Sequence, residues 1–393
     1  MDLLIFFTAT VFYLKKKQMK ISKINLYEVI VPSKSGTIQS SAINKPLHKL
    51  SRGTEMGWSI QFDELSKILI AIELTNGVVG WGECYRGNDL EAVKQVAEKF
   101  VGMSIEKIIR QQLPIPYTRI YDGFECAIWD CFARLKNIRV VDLLGGAVRD
   151  KVKVGSWSSH RTTAEVGEIA SNFAAMGYDC IKFKTDLDDD VGAWANSIKS
   201  AAPNMKIIFD PNERWISSAK VKTRIDQLKE IGNTFCIEDP IPRWKIQEYS
   251  QLRNYSPIPI VLHVSLPYVD HGQRFHDAIR AIQHQAVDGF NFNCGLAHFQ
   301  KLDHIATAAE MPCWHGSEID LGITEAMYLH SCAAAHSCEW PSDIFGRLIR
   351  EHDLLKKSIP IDPPYAYLPE GPGLGVEPDM EAINKYSINT IEV

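Results

Sequence analysis

CIKFKTD at residues 180–186, IIFDPNE at 207–213 and FCIEDP at 235–240 are the stretches on which the fold turns. Each is a short apolar run ending in charged residues, and a helix-length segment separates it from the next. Five more runs share this texture: VKVGSWS (152–158), IPIVLHVS (258–265), GFNFNCG (289–295), MPCWHG (311–316) and HSCEWPS (336–342). After the first run, the polar residues near the C-terminal ends are Lys182, Asp210, Glu238, His263, Asn293, His315 and Glu339, spaced 22 to 30 residues apart. That spacing is one strand plus one helix. Near-continuous apolar strands alternating with helices imply parallel pairing. Eight such units in a row predict an α/β fold, a closed (β/α)8-type barrel. An open doubly wound sheet is the competing architecture, but no GxGxxG opens its first turn.

Upstream, IAIELTNGVVGWGEC (70–84) reads as a hairpin around Asn76-Gly77. Helical periodicity follows over 90–101 and 124–136, making an α+β unit with a long polar loop from Ser33 to Trp58. The expected organisation is an extension outside the fold at 1–18, an α+β domain at 19–140, the barrel at 141–360, and a tail at 361–393 packing back on that domain. The apolar run from Leu3 to Leu14 is too short to span a bilayer, and its lysines follow it, where a secretory signal has them precede.

Composition narrows the function. The 393 residues carry 43 Lys+Arg against 48 Asp+Glu, so nothing global favours nucleic acid. The 9 cysteines are odd in number and contain no CxxC, which argues against a disulfide framework or structural zinc. A cytoplasmic protein with neither a membrane nor a nucleic-acid partner is expected.

In such a barrel the chemistry sits at the C-terminal ends of the strands. Lys182 and Lys184, two apart on one strand, point to the same face. Two ammonium groups so close should depress each other's pKa, which is how a lysine becomes a base near neutral pH. Asp210 and Glu238, ending the next two strands, suit Mg²⁺, an ion that takes oxygen ligands and often only a few carboxylates. Asn212 and Asp239 stand ready to support them. A proton α to a carboxylate is only weakly acidic. A divalent cation steadies the charge that develops, and a lysine takes the proton. A Schiff-base lysine is the alternative chemistry.

These motifs, with GVVGWGEC (77–84), the bridge AIWDCFARLKNIRVVDLLGGAVRDKVKV (127–154), FDPNERW (209–215) and PGLGVEPD (372–379), resemble the enolase superfamily, specifically its mandelate racemase/muconate-lactonizing enzyme branch. The resemblance implies a modified TIM-like barrel capped by an α+β domain built from the N-terminal region and C-terminal tail. It implies a homo-oligomer acting on a small organic carboxylate by racemisation, epimerisation, cycloisomerisation or dehydration. Lys184 becomes the base, Lys182 its tuning or carboxylate-contacting partner, and Asp210 and Glu238 metal ligands. The usual third carboxylate on strand five is missing: Val264 occupies its apparent position, and a strand-end bulge would be needed to bring His263 round as third ligand. A histidine ligand widens the metal choice from Mg²⁺ toward Mn²⁺, Zn²⁺ or Fe²⁺. Asn293 takes the place of a strand-six lysine or aspartate. His315 is the candidate acid/base on strand seven, with Asp320 and Glu339 as weaker candidates. A catalytically impaired member retained for binding is the other reading these departures allow.

Overall fold

The computed structural model describes residues 18–38, 40, 42–43, 66–264 and 274–393. The expected extension and most of the Ser33–Trp58 loop lie outside the described residues.

Near the N-terminus, four antiparallel strands form a sheet in the order Ser387–Glu392, Ile21–Val29, Lys67–Leu74, Val79–Glu83. The hairpin between the last two turns at Gly77, whose φ of 83° suits glycine. The helix Tyr121–Lys136 lies across this hairpin so closely that a Cβ on Gly80 would stand 2.3 Å from the Cβ of Cys131. Buried Asp130 on that helix accepts from the Trp81 amide at 2.8 Å and the Leu374 amide at 2.7 Å, and pairs with Arg134. One carboxylate thus ties hairpin, helix and C-terminal segment together, with every bond charge-assisted.

Seven parallel strands follow: Ser156–Ser158, Cys180–Lys184, Lys206–Asp210, Thr234–Glu238, Ile260–Val264, Gly289–Phe292 and Cys313–His315, each paired with its sequence neighbour. The eighth predicted run does not form a strand. It contributes two parallel bridges, Cys313 to Cys338 on one edge strand of the seven-stranded sheet and Val154 to Ser342 just before the other, Ser156–Ser158. Pro341 sits between them and has no amide hydrogen to donate to a ladder. Lys151–Lys153, which overlap the start of the first run, likewise leave the barrel and pair antiparallel with Tyr365–Tyr367.

Side-chain parity divides the barrel into two cores. Ile181, Phe183, Phe209, Ile237, Leu262, Val264 and Phe292 face outward into the large core beneath the helices. Cys180, Ile208, Cys236, Val261 and Trp314 form a separate cluster inside. Residues two along from these inward positions, toward the strand ends, share the inward face. This alternation decides which polar residues reach the mouth.

The cap is keyed to the barrel by a buried triad. Lys67 Nζ lies 2.6 Å from both Glu83 Oε1 and Asp320 Oδ1. The Glu83 carboxylate also accepts from the amides of Leu321 and Thr324, at the start of the helix Gly322–Ala334, where negative charge is favoured. Among the described residues no helix is long and apolar enough to cross a membrane.

Candidate active site

Lys182 and Lys184 follow Cys180 on the inward face, as their spacing requires. Lys184 Nζ is 2.5 Å from Asp210 Oδ2, directly across the ladder that pairs the two residues. Lys182 Nζ is 2.8 Å from Glu238 Oε2 and 2.6 Å from Asp343 Oδ2, and lies 5.0 Å from the centre of the Trp314 ring. The expected mutual depression of the two ammonium groups does not occur at Lys182. Burial alone would lower its pKa, but Asp343 and Glu238 outweigh that and hold it above its ordinary value. Lys182 is therefore a fixed cation. Burial likewise opposes the ionised form of Glu238, yet Lys182 and His263 keep its pKa below the usual carboxylate range.

On the fifth strand His263 faces inward without any bulge, two residues beyond Val261, whereas Val264 packs outward. Its Nδ1 is 3.1 Å from Glu238 Oε1. Burial pushes its pKa down to about 4, so the imidazole is neutral at pH 7, the form that ligates metals. The neighbouring Asp239 has both oxygens engaged. Oδ1 accepts from the His263 amide at 2.8 Å, and Oδ2 pairs with the Arg243 guanidinium. It fixes the end of strand five. Asn212 supports Asp210 through its main chain, its amide donating to Asp210 Oδ1 at 3.0 Å. Glu238, Asp239 and His263 bring ligand atoms within 4.8 Å of one another, all buried. With Asp210 on the adjacent strand, the donor set of carboxylates and a neutral imidazole fits a divalent cation.

Four expected residues stand elsewhere. His315 shares the outward face with Phe292 and is stacked between Phe299 and Tyr328, at 4.5 and 3.8 Å between ring centres. Its Nδ1 and Nε2 face the carbonyl oxygens of Gly316 and Cys294 at 2.8 and 3.1 Å, and burial lowers its pKa to about 4. Neither nitrogen is left for a substrate; the inward residue of strand seven is Trp314. Asn293 lies past the end of strand six and accepts from the hydroxyls of Tyr85 and Tyr328 at 3.3 and 3.5 Å. The strand-six residue facing the acids is Asn291, whose Nδ2 donates to Glu238 Oε1 at 2.6 Å. Glu339 is exposed on the eighth segment, and Asp343, four residues on, occupies the mouth. Asp320 belongs to the triad that keys the cap.

Asn291 and Asp343 are thus the residues the sequence reading missed. Asn291 was findable, because it is two residues before Asn293 and so has the same strand parity. Asp343 was not, because Pro341 obscures where the eighth segment ends. His160, just past the first strand, was also missed. It lies 3.4 Å from Asp189 and 3.2 Å from Arg214, with both ring nitrogens facing these groups rather than the acids of strands three and four.

With this arrangement of lysines and acids at one end of a parallel barrel, the chain falls among the enolase-type enzymes. It belongs to the Enolase C-terminal domain-like family, whose model matches residues 165–382. It is 26% identical over 348 residues to muconate cycloisomerase 1 of Rhodococcus opacus, covering 82% of this chain and 91% of that one. It is also 26% identical over 353 residues to the o-succinylbenzoate synthase of Bacillus subtilis (strain 168), covering 84% and 91%. Among solved structures, the N-succinyl Arg/Lys racemase of Bacillus cereus ATCC 14579 superposes with a TM-score of 0.80 at 19% identity, covering 95% of this chain and 100% of that one. At that identity the likeness speaks for the fold, a capped modified barrel. The enolase-superfamily resemblance read from the motifs holds.

Proposed function

We propose that this protein is a divalent-metal-dependent isomerase or lyase that removes the proton α to the carboxylate of a small organic acid, with Lys184 as the base. The observation that carries this reading is the approach of Lys184 Nζ to Asp210 Oδ2, 2.5 Å across two adjacent strand ends. It puts an amine beside the acids suited to a cation. A cation held by Asp210, Glu238 and His263 supplies stabilisation for the negative charge of the enolate.

The protein's own groups divide the remaining work. Lys182, held protonated by Glu238 and Asp343, offers a fixed positive charge to a substrate carboxylate. Lys184 has only Asp210 as an ion-pair partner among the described residues, so it is the amine free to take a proton once that carboxylate is otherwise engaged. Asn291 cannot act as a base, and His315 is turned away. Among the described residues the candidate basic groups therefore stand on one side of the mouth. Inversion of a carbon needs acid/base groups on both faces, whereas cycloisomerisation or elimination on one face can use a single lysine. Relatives named as cycloisomerases support that preference.

The departures at strands five and six favour one second reading, a member that binds metal and acid without turnover. Incubation in D₂O with acid sugars, amino-acid derivatives, dipeptides and muconate-like acids separates the two. The expected result is cation-dependent exchange or elimination on one of these classes, abolished by chelator. Metal binding without either reaction on any class supports the second reading, and turnover indifferent to chelator contradicts both.

A further inference from the structure

We infer that the cation site is a mixed nitrogen–oxygen site, with His263 as a direct ligand, and that it selects a borderline transition-metal dication over Mg²⁺ more strongly than an all-oxygen site would. The inference rests on the metal-dependent reading above and deepens it.

Three observations point the same way. His263 stands on the inward face of strand five, next in order after the strand ends that carry Asp210 and Glu238. Its backbone is pinned there by Asp239, whose other oxygen is held by Arg243. The ring is placed rather than merely accommodated.

Its nitrogens are also used differently from those of the other buried histidines, His160, His315 and His330, the first of which faces Asp189 and Arg214. His315 has both ring nitrogens against backbone carbonyls. His330 accepts from the Val141 amide and meets the Leu374 carbonyl. Both are spent on the fold. His263 is 5% exposed, its Nδ1 meets Glu238, and among the described residues its Nε2 has no hydrogen-bond partner. A buried ring nitrogen without a partner is costly in a structural role. The cost disappears if the ring is a ligand.

The third observation is the donor set. Mg²⁺ wants near-octahedral oxygen and is reluctant to lose its waters, whereas imidazole favours Zn²⁺, Co²⁺ and Fe²⁺. Replacing a carboxylate by a neutral imidazole removes one negative charge and one hard oxygen. Both changes weaken Mg²⁺ more than a borderline ion.

The test uses the full chain, stripped of metal and reloaded. In the Mn²⁺-loaded protein, pulsed electron paramagnetic resonance should detect ¹⁴N coupling from a directly bound imidazole, and His263→Asp should remove it. Competition titrations with Co²⁺ and Mg²⁺ should show the Co²⁺:Mg²⁺ affinity ratio falling at least about tenfold in His263→Asp. An unchanged ratio, or Mn²⁺ bound without nitrogen coupling, overturns the inference and leaves the metal-dependent function intact. A chain that binds none of these cations overturns both. If His263→Asp does not fold, the coupling measured on the unaltered chain decides.

Discussion

Strands two to five and the arc from strand six to the eighth segment meet at the same barrel mouth but are built differently. The first arc presents Lys182, Lys184, Asp210, Glu238 and His263, one or two chemical groups per strand end, in sequence order. The second presents an amide, Asn291, an indole, Trp314, and a single carboxylate, Asp343, that neutralises a lysine from the other side. The chemistry is thus concentrated on one arc, while the other shapes and balances its charge. In a fold that supports many reactions, such one-sidedness among the described residues bears on the proposed mechanism, in which proton transfer is confined to the lysine side.

The largest effect should come from Asp210→Asn. Losing the charge of a proposed cation ligand and the partner of Lys184 together is expected to lower cation-dependent α-proton exchange by about 10³-fold, read by NMR in D₂O. Retention of exchange would place the working site outside the charged arc.

Lys67→Met tests whether the triad that keys the cap is separate from that arc. It leaves Glu83 and Asp320 buried without their cation, at a cost of about 3–5 kcal/mol in urea denaturation, while affinity for divalent ions in the folded protein stays unchanged. A stability loss below about 1 kcal/mol would show that the triad does not hold the cap.

The buried histidines predict a pH dependence. His263, His315 and His330 each have a folded pKa lowered from 6.5 to about 4 by burial. The unfolded chain therefore binds more protons between those values, and stability should fall as pH drops from 6.5 toward 4. His330→Gln, far from the acids, should flatten that slope by removing one contributor. An unaltered slope would mean that this ring is not held neutral.

His315→Phe should give the smallest effect. A ring that keeps the stack with Phe299 and Tyr328 should leave exchange within about threefold of the original. A hundredfold loss would return His315 to the mouth and erase the contrast between the arcs.

The same contrast explains what could be read beforehand. On strands two to four, alternation and a charged residue at the strand end coincide, so Lys182, Lys184, Asp210 and Glu238 could be placed by counting. On strand five Val264 aligns with the expected carboxylate, but parity from Val261 turns His263 inward without a bulge. On strand seven only three residues pair, Cys313–His315, and a polar residue at such a short strand's end is as easily outward as inward. At the eighth segment Pro341 leaves no ladder to count along, so Glu339 stood in for Asp343. The barrel needs only the recurrence of its units to be recognised. Its mouth needs each strand's register to the residue.

Lys184→Ala, assayed for solvent-deuterium incorporation α to the carboxylate on whichever acid the unaltered enzyme exchanges, tests the central claim most directly. The account predicts exchange lowered by about 10²–10⁴-fold while divalent-cation affinity is retained. Exchange continuing at the original rate in that variant would contradict it.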